Sequence, residues 1–319
     1  MVCRIVGVGG HVPGEPVSNE ELAKTVTDSD AEWVKTRTGI LQRHFASPSV
    51  FSSHMAFEAS KQALDDAKLT AADINLIIVS TTTPDHCFPS VATKLQGLLG
   101  CKDAPSFDIQ AVCAGFIYGL EVAYALMKTG KYNNILLVGV DKMSSLLDMN
   151  DRSTAVLFSD GAGAAILSRD TSIHEDSILT SIHSDGSLWE LLYTHNDAGS
   201  DYRHSVIKMN GKEIYRHAVE KMTSSMLNLL AKYSLDISEV SYILPHQANQ
   251  RIIDSIASRL DFPDDKIIRT VSKYANNSAA TIPLALKELQ LSGNLKRGDL
   301  LLMTALGGGL TWGSALVRW

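Results

Sequence analysis

Cys113 stands where a strand-like run, Phe107-Asp108-Ile109, gives way to an apolar stretch from Phe116 onward that has helical character. A thiol at such a junction has the makings of a nucleophile. A helix beginning at Cys113 would direct unpaired backbone N–H groups and the positive end of its dipole at the sulfur, favouring thiolate without a neighbouring base. Ala114 and Gly115 leave a substrate room to approach. The plain alternative is a buried structural cysteine, a common fate of a free thiol, and two later segments weigh against it. His246 ends the run Tyr242-Ile243-Leu244-Pro245 and precedes a helix carrying Ile252, Ile253, Ile256 and Leu260. The carboxyl ends of strands are where α/β proteins usually place ligands. Asn276 lies just before another helix, whose first turn tolerates Pro283. Cys113, His246 and Asn276 thus have matching settings.

The elements that must carry these three residues are legible in outline. Continuous apolar runs such as Leu76-Ile77-Ile78-Val79 alternate with helical stretches, which predicts mixed or parallel sheets covered on both faces. The helix over Phe116 to Met127 is apolar nearly all round and belongs between layers. The chain also looks duplicated. A strand at 74–80 with a helix from about Ser90 parallels the strand at 240–246 with its own helix, and the segment 128–139 follows the Cys113 helix much as 291–303 follows the Asn276 helix. We divide the chain into residues 1–172, with the cysteine, and 173–319, with the histidine and asparagine.

Composition sets limits. A length of 319 residues with 45% hydrophobic content is ample for a large core. The net charge of −6 argues against a nucleic-acid binder. Four scattered cysteines, Cys3, Cys87, Cys101 and Cys113, suggest neither a disulfide framework nor a zinc site, and no metal is expected. The opening residues read as a strand rather than a signal peptide, and no apolar run reaches membrane-spanning length. A cytoplasmic protein without membrane insertion is expected. His246 has nine competitors, His11, His44, His54, His86, His174, His183, His195, His204 and His217, none in a comparably strong motif.

The chain resembles the thiolase-fold condensing enzymes, and most closely the β-ketoacyl-acyl-carrier-protein synthase III family. Besides the settings of Cys113, His246 and Asn276, the resemblance rests on Glu32 to Ile40, on Phe158-Ser159-Asp160-Gly161-Ala162-Gly163, and on the ending Gly307-Gly308-Gly309-Leu310-Thr311-Trp312-Gly313. It implies a five-layer αβαβα fold from two duplicated halves. It also implies that Cys113 takes an acyl group from an acyl-coenzyme A primer, and that malonyl-acyl-carrier protein then loses carbon dioxide and attacks the acyl-cysteine, initiating fatty-acid synthesis. His246 and Asn276 would donate to the enolate, a role suited to a pair that brings no negative charge. Backbone N–H groups of Cys113 and Gly308 would form a second oxyanion hole. Trp33 and Arg152 would sandwich the adenine of coenzyme A, with Arg37 nearby and Asn249 on the pantetheine arm. Phe88 would enter the acyl pocket of the partner in a homodimer, and Arg216, Arg251 and Arg259 would receive the acidic acyl carrier protein. No permanently bound cofactor is implied.

Several positions depart from the commonest family pattern. Ser258 replaces a basic residue, Leu306 and Leu310 flank the glycine loop where aromatics are frequent, and Lys212 replaces a small polar residue, so primer length and branching stay open. A related Cys-His-Asn condensing or acyl-transferring enzyme of secondary metabolism is the nearest rival. A papain-like hydrolase fits poorly, because its cysteine lies near the mature N-terminus in another motif. A dinucleotide-binding oxidoreductase fits no better, because Gly161-Ala162-Gly163 is an incomplete fingerprint that does not follow the first strand.

Overall fold

A computed structural model describes residues 2–170, 177–195 and 205–319. His174, His204 and the division at 172/173 lie outside the described residues. Up to residue 170 the elements are β1 (Val2–His11), β2 (Val17–Ser18), α1 (Asn19–Leu22), α2 (Ala31–Thr38), β3 (Gln42–Arg43), α3 (Ser52–Ala67), β4 (Leu76–Ser80), α4 (Val91–Leu99), β5 (Ser106–Ile109), α5 (Gly115–Lys128), β6 (Asn134–Lys142), α6 (Arg152–Ala155) and β7 (Asp160–Asp170). From residue 177 they are β8 (Ile178–Ser184), β9 (Leu192–His195), β10 (Val206–Met209), α7 (Gly211–Lys232), β11 (Tyr242–Pro245), α8 (Gln250–Leu260), α9 (Val271–Tyr274), α10 (Thr281–Leu291), β12 (Leu300–Gly307) and β13 (Thr311–Arg318).

Two mixed sheets form the frame. The first has the order β1-β7-β6-β4-β5, with β4 parallel to β5 and β6 while β7 runs antiparallel to β1 and β6. The second has the order β11-β12-β13-β8, with only the β11–β12 pair parallel. Every residue of β4 and of β12 is buried, as expected of strands covered on both faces. α3 and α4 pack outside the first sheet, and α7 covers the second, with α8 packed against it. Between the sheets lie α5 and α10, and α5 touches strands of both. The result is the five-layer αβαβα arrangement. The apolar character of α5 follows from its place, since Phe116, Ile117, Leu120 and Ala123 are all fully buried between the sheets.

Close approach of α10 to the first sheet depends on missing side chains. A Cβ at Gly139 on β6 would come within 2.3 Å of the Ala279 carbonyl oxygen, and one at Gly163 on β7 within 2.7 Å of the Pro283 ring. The left-handed Gly39 (φ 75°) closes α2, and its absent Cβ leaves room for Gln250 at the start of α8.

Gly139→Ala should therefore force the turn preceding α10 away from β6. The expected loss is about 1–3 kcal/mol, read as a lower urea midpoint. An unchanged midpoint would show that the turn is free to move off the sheet.

Candidate active site

Between β5 and α5 the chain makes a tight 3₁₀ turn, Val112–Ala114, and the α-helix begins only at Gly115. The expected helix start at Cys113 is thus displaced by two residues. Val112 has φ 48°. That left-handed conformation is disfavoured for a β-branched residue and costs about 1–3 kcal/mol. Neighbouring elements hold it there. Thr311 Oγ1 donates to the Ala111 carbonyl at 2.9 Å, and a Cβ at Gly307 would lie only 2.7 Å from the Cys113 nitrogen. The end of β12 can press on the nucleophile turn because its residue there is glycine.

His246 follows directly on β11, and its N–H extends the pairing by donating to the Thr304 carbonyl at 2.8 Å. Its neighbour Gln247 is fully buried with its amide satisfied. Nε2 donates to the Pro245 and Ile268 carbonyls, while Oε1 accepts from the N–H groups of Thr270 and Val271. Asn276 is pinned from both sides of its backbone, donating to the Leu157 carbonyl and accepting from the Ser159 N–H. Its side-chain Oδ1 accepts from the Ser278 N–H at 2.9 Å. That contact orients the amide by its oxygen and leaves the amide nitrogen as a donor available for a ligand.

Cys113, His246 and Asn276 line one cavity of about 650 Å³. All three are buried. The wall is built from Leu157, Leu192, Met209, Ile214, Met222 and Leu306, and exposed Arg37, Arg152 and Arg251 stand at the rim. Trp33 and Asn249 also line it. Asn249 caps α8 by accepting from the Arg251 N–H and donates to the Arg37 carbonyl, so it ties α8 to α2.

The electrostatics differ from the sequence expectation. Burial pushes the Cys113 thiol up to about 12, with Asp141 adding to the rise, while the Ser278 hydroxyl and the turn's own backbone only oppose it. Desolvation of a thiolate outweighs the N–H groups aimed at it. Burial likewise pushes His246 down to about 3. Both side chains rest uncharged at neutral pH.

Other predicted positions spread more widely. The Arg152 guanidinium lies on the Trp33 ring, 4.8 Å from its centroid, and also donates to the Asp28 carbonyl. The two stack on each other and leave no slot for a base between them. Phe88 is 85% exposed and does not line the cavity. Arg216 pairs with Glu213 and Glu220 on its own helix. Arg259 is exposed on α8 two turns beyond Arg251. Gly308 sits in the β12–β13 turn against Leu192, while Gly307 is the glycine that meets Cys113. His11, His44, His54, His86, His183 and His217 do not line the cavity, and the side chain of His195 lies outside the described residues. Sequence reasoning missed Thr281, Ser278 and Asp141, whose importance lies in contacts distant along the chain. Among the described residues no group of three His, Cys, Asp or Glu could hold a metal ion, and no helix is long and apolar enough to cross a membrane.

Residues 107–186 match the family model for 3-oxoacyl-[acyl-carrier-protein] synthase III, and residues 230–319 match the model for its C-terminal part. The β-ketoacyl-[acyl-carrier-protein] synthase III of Rickettsia massiliae is 52% identical over 321 residues spanning 100% of both chains. That of Rickettsia prowazekii is 51% identical over the same span. The crystal structure of 3-oxoacyl-[acyl-carrier-protein] synthase III from Aquifex aeolicus VF5 has a TM-score of 0.93 at 43% identity, covering 99% of this chain and 100% of that one.

A thiol held near 12 should show an alkylation rate at Cys113 that rises about tenfold per pH unit through pH 9. Iodoacetamide labelling with peptide mass mapping would separate it from exposed Cys87. A plateau near pH 7 would mean a stabilised thiolate instead.

Proposed function

The chain belongs to the 3-oxoacyl-[acyl-carrier-protein] synthase III family, and on that premise we propose that it initiates fatty-acid synthesis by decarboxylative condensation of an acyl-coenzyme A with malonyl-acyl-carrier protein. One observation carries the reading to this pocket: Cys113, His246 and Asn276 are buried together on a single cavity whose rim is cationic.

In the first half-reaction the Cys113 sulfur attacks the thioester carbonyl, and the thiol proton ends on the departing coenzyme A. Proton balance is then neutral, which suits a nucleophile that rests as a thiol. The short-lived oxyanion is held by backbone N–H groups of Cys113 and Gly308. Trp33, Arg37 and Arg152 bind the nucleotide end, the base displacing the Arg152 guanidinium from the indole it now covers, since either partner is a good stacking surface. Asn249 meets the pantetheine arm.

In the second half-reaction malonyl-acyl-carrier protein releases carbon dioxide, and the resulting enolate carbon attacks the acyl group on Cys113. A 3-ketoacyl-acyl-carrier protein forms, and the freed thiolate takes a proton. Asn276, through the amide nitrogen left open by Ser278, and His246 donate to the enolate oxygen. Arg251, Arg259 and Arg216 face the acidic carrier, Arg216 after exchanging its helix partners. The protein works with no resident cofactor, in the cytoplasm and as a homodimer. Support for the dimer comes from β5, the edge strand of the first sheet, and from Phe88, whose exposure leaves it free to enter a second copy.

The direct test supplies short acyl-coenzyme A primers with malonyl-carrier protein and looks for 3-ketoacyl product. No product with any primer would sink the reading. Arg251→Glu should depress use of malonyl-carrier protein far more than acyl transfer from coenzyme A, and salt should mimic part of the loss by screening over about 8–10 Å. Equal losses in both would assign Arg251 to the shared cavity instead. Asn276→Asp keeps the acceptor for Ser278 yet exchanges a donor for negative charge. Condensation should fall by about 10²- to 10³-fold, with acyl-enzyme formation, followed by rapid quench, falling much less. Near-normal condensation would remove Asn276 from the enolate site.

A further inference from the structure

A neutral imidazole carries one N–H, and its place decides whether His246 offers the cavity a donor or a lone pair. His246 Nδ1 lies 2.6 Å from Thr281 Oγ1. The Thr281 hydroxyl is also 3.1 Å from the Ser278 carbonyl oxygen. With one hydrogen to give, it can serve only one of the two. If it donates to the carbonyl, Nδ1 must carry the imidazole proton and Nε2 is bare. If it donates to Nδ1, the proton sits on Nε2.

We propose that Thr281 is a positioning residue, whose hydroxyl donates to Nδ1 and so holds the His246 proton on Nε2 for the cavity. Two observations favour this direction. The contact to Nδ1 is the shorter of the two by half an ångström. The Ser278 carbonyl already accepts the Thr281 backbone N–H, so losing the hydroxyl does not leave it unpaired. Thr281 is 1% exposed at the first residue of α10, so its hydrogen has only these two acceptors to choose between. Turning the O–H from one acceptor to the other moves no heavy atom. Thr281 thereby does for His246 what the Ser278 N–H does for Asn276: each occupies the far side of a side chain and commits the near side to donation.

The consequence for rate rests on the condensation proposed above, because only an anionic intermediate needs Nε2–H. The tautomer does not rest on it and can be read without substrate. In ¹⁵N NMR of histidine-labelled protein, His246 should show a protonated Nε2 and an unprotonated Nδ1. Thr281→Val should abolish that preference and lower condensation by about 10²-fold, the size of losing one donor. Acyl-enzyme formation should change only a few-fold, and Thr281→Ser should retain both tautomer and rate. A wild-type His246 protonated on Nδ1 would overturn the proposal whatever the variants do, including a Thr281→Val that fails to fold. So would a folded Thr281→Val that keeps the Nε2–H signal and full condensation. Should the wild type make no 3-ketoacyl product, the condensation reading would fall while the spectrum still judged Thr281.

Discussion

The Asp141 carboxylate is the tie on which the arrangement of the site depends. Through Oδ1 it accepts from Thr81 Oγ1 at 3.2 Å, the Thr82 N–H at 2.7 Å and Thr83 Oγ1 at 3.0 Å, and through Oδ2 from the Ala279 N–H at 3.2 Å. The first three groups lie beyond β4 and the fourth lies in the turn that carries Asn276. One side chain at the end of β6 therefore fixes the carboxyl-end loops of the first sheet against the start of α10. A longer chain of contacts follows from it, because Ser52 at the head of α3 donates to the Thr83 carbonyl at 2.7 Å. The carboxylate is fully buried, and desolvation pushes it up to about 6 despite these donors. A neutral amide has one oxygen and would turn its N–H₂ toward at least one donor, so the negative charge is the feature that lets four donors converge.

Next to this charge, the cavity keeps its own titratable groups neutral by the same means. Burial raises Cys113 and lowers His246, and the two shifts have opposite signs because each disfavours the ionised form. Charge is instead placed at the rim, on Arg37, Arg152 and Arg251. In the proposed reaction this division has a purpose. Anionic substrates are attracted at the mouth, whereas inside only neutral groups wait for the oxyanion of acyl transfer and for the enolate that inherits the malonyl charge when carbon dioxide departs. Donors that are already oriented then need no reorganisation.

How much of this was legible in the sequence depended on whether the cause was local. The settings of His246 and Asn276 show in the chain, since a strand end, a cap and a proline in a first turn are short-range patterns, and the structure has β11, α8 and α10 where they predict them. The protonation of Cys113 does not show in the chain, because a helix close by is legible while its exact start and the burial of the thiol are not. Thr281 could not be singled out, as a threonine opening a helix is ordinary until His246, far away in sequence, is found at its hydroxyl. The self-stacked Arg152 and Trp33 were hidden for the same reason. Sequence similarity pairs them through a ligand, and the structure brings them into contact without one.

The two leucines flanking the glycine loop show the same limit at the level of packing. From sequence, Leu306 and Leu310 look equivalent: both are aliphatic where aromatics are frequent, and both are smaller than a ring. They turn out to differ. Leu310 is fully buried, lies in the core shared with α7 and α8, and does not line the cavity. Leu306 does line the cavity, across which Met209 and Met222 also stand. Unbranched thioether side chains adapt their shape at little cost, so this wall can yield to an acyl chain where a rigid ring could not. Room for the primer should therefore vary with Leu306 and its methionine neighbours, while Leu310 bears on the stability of the core beneath them.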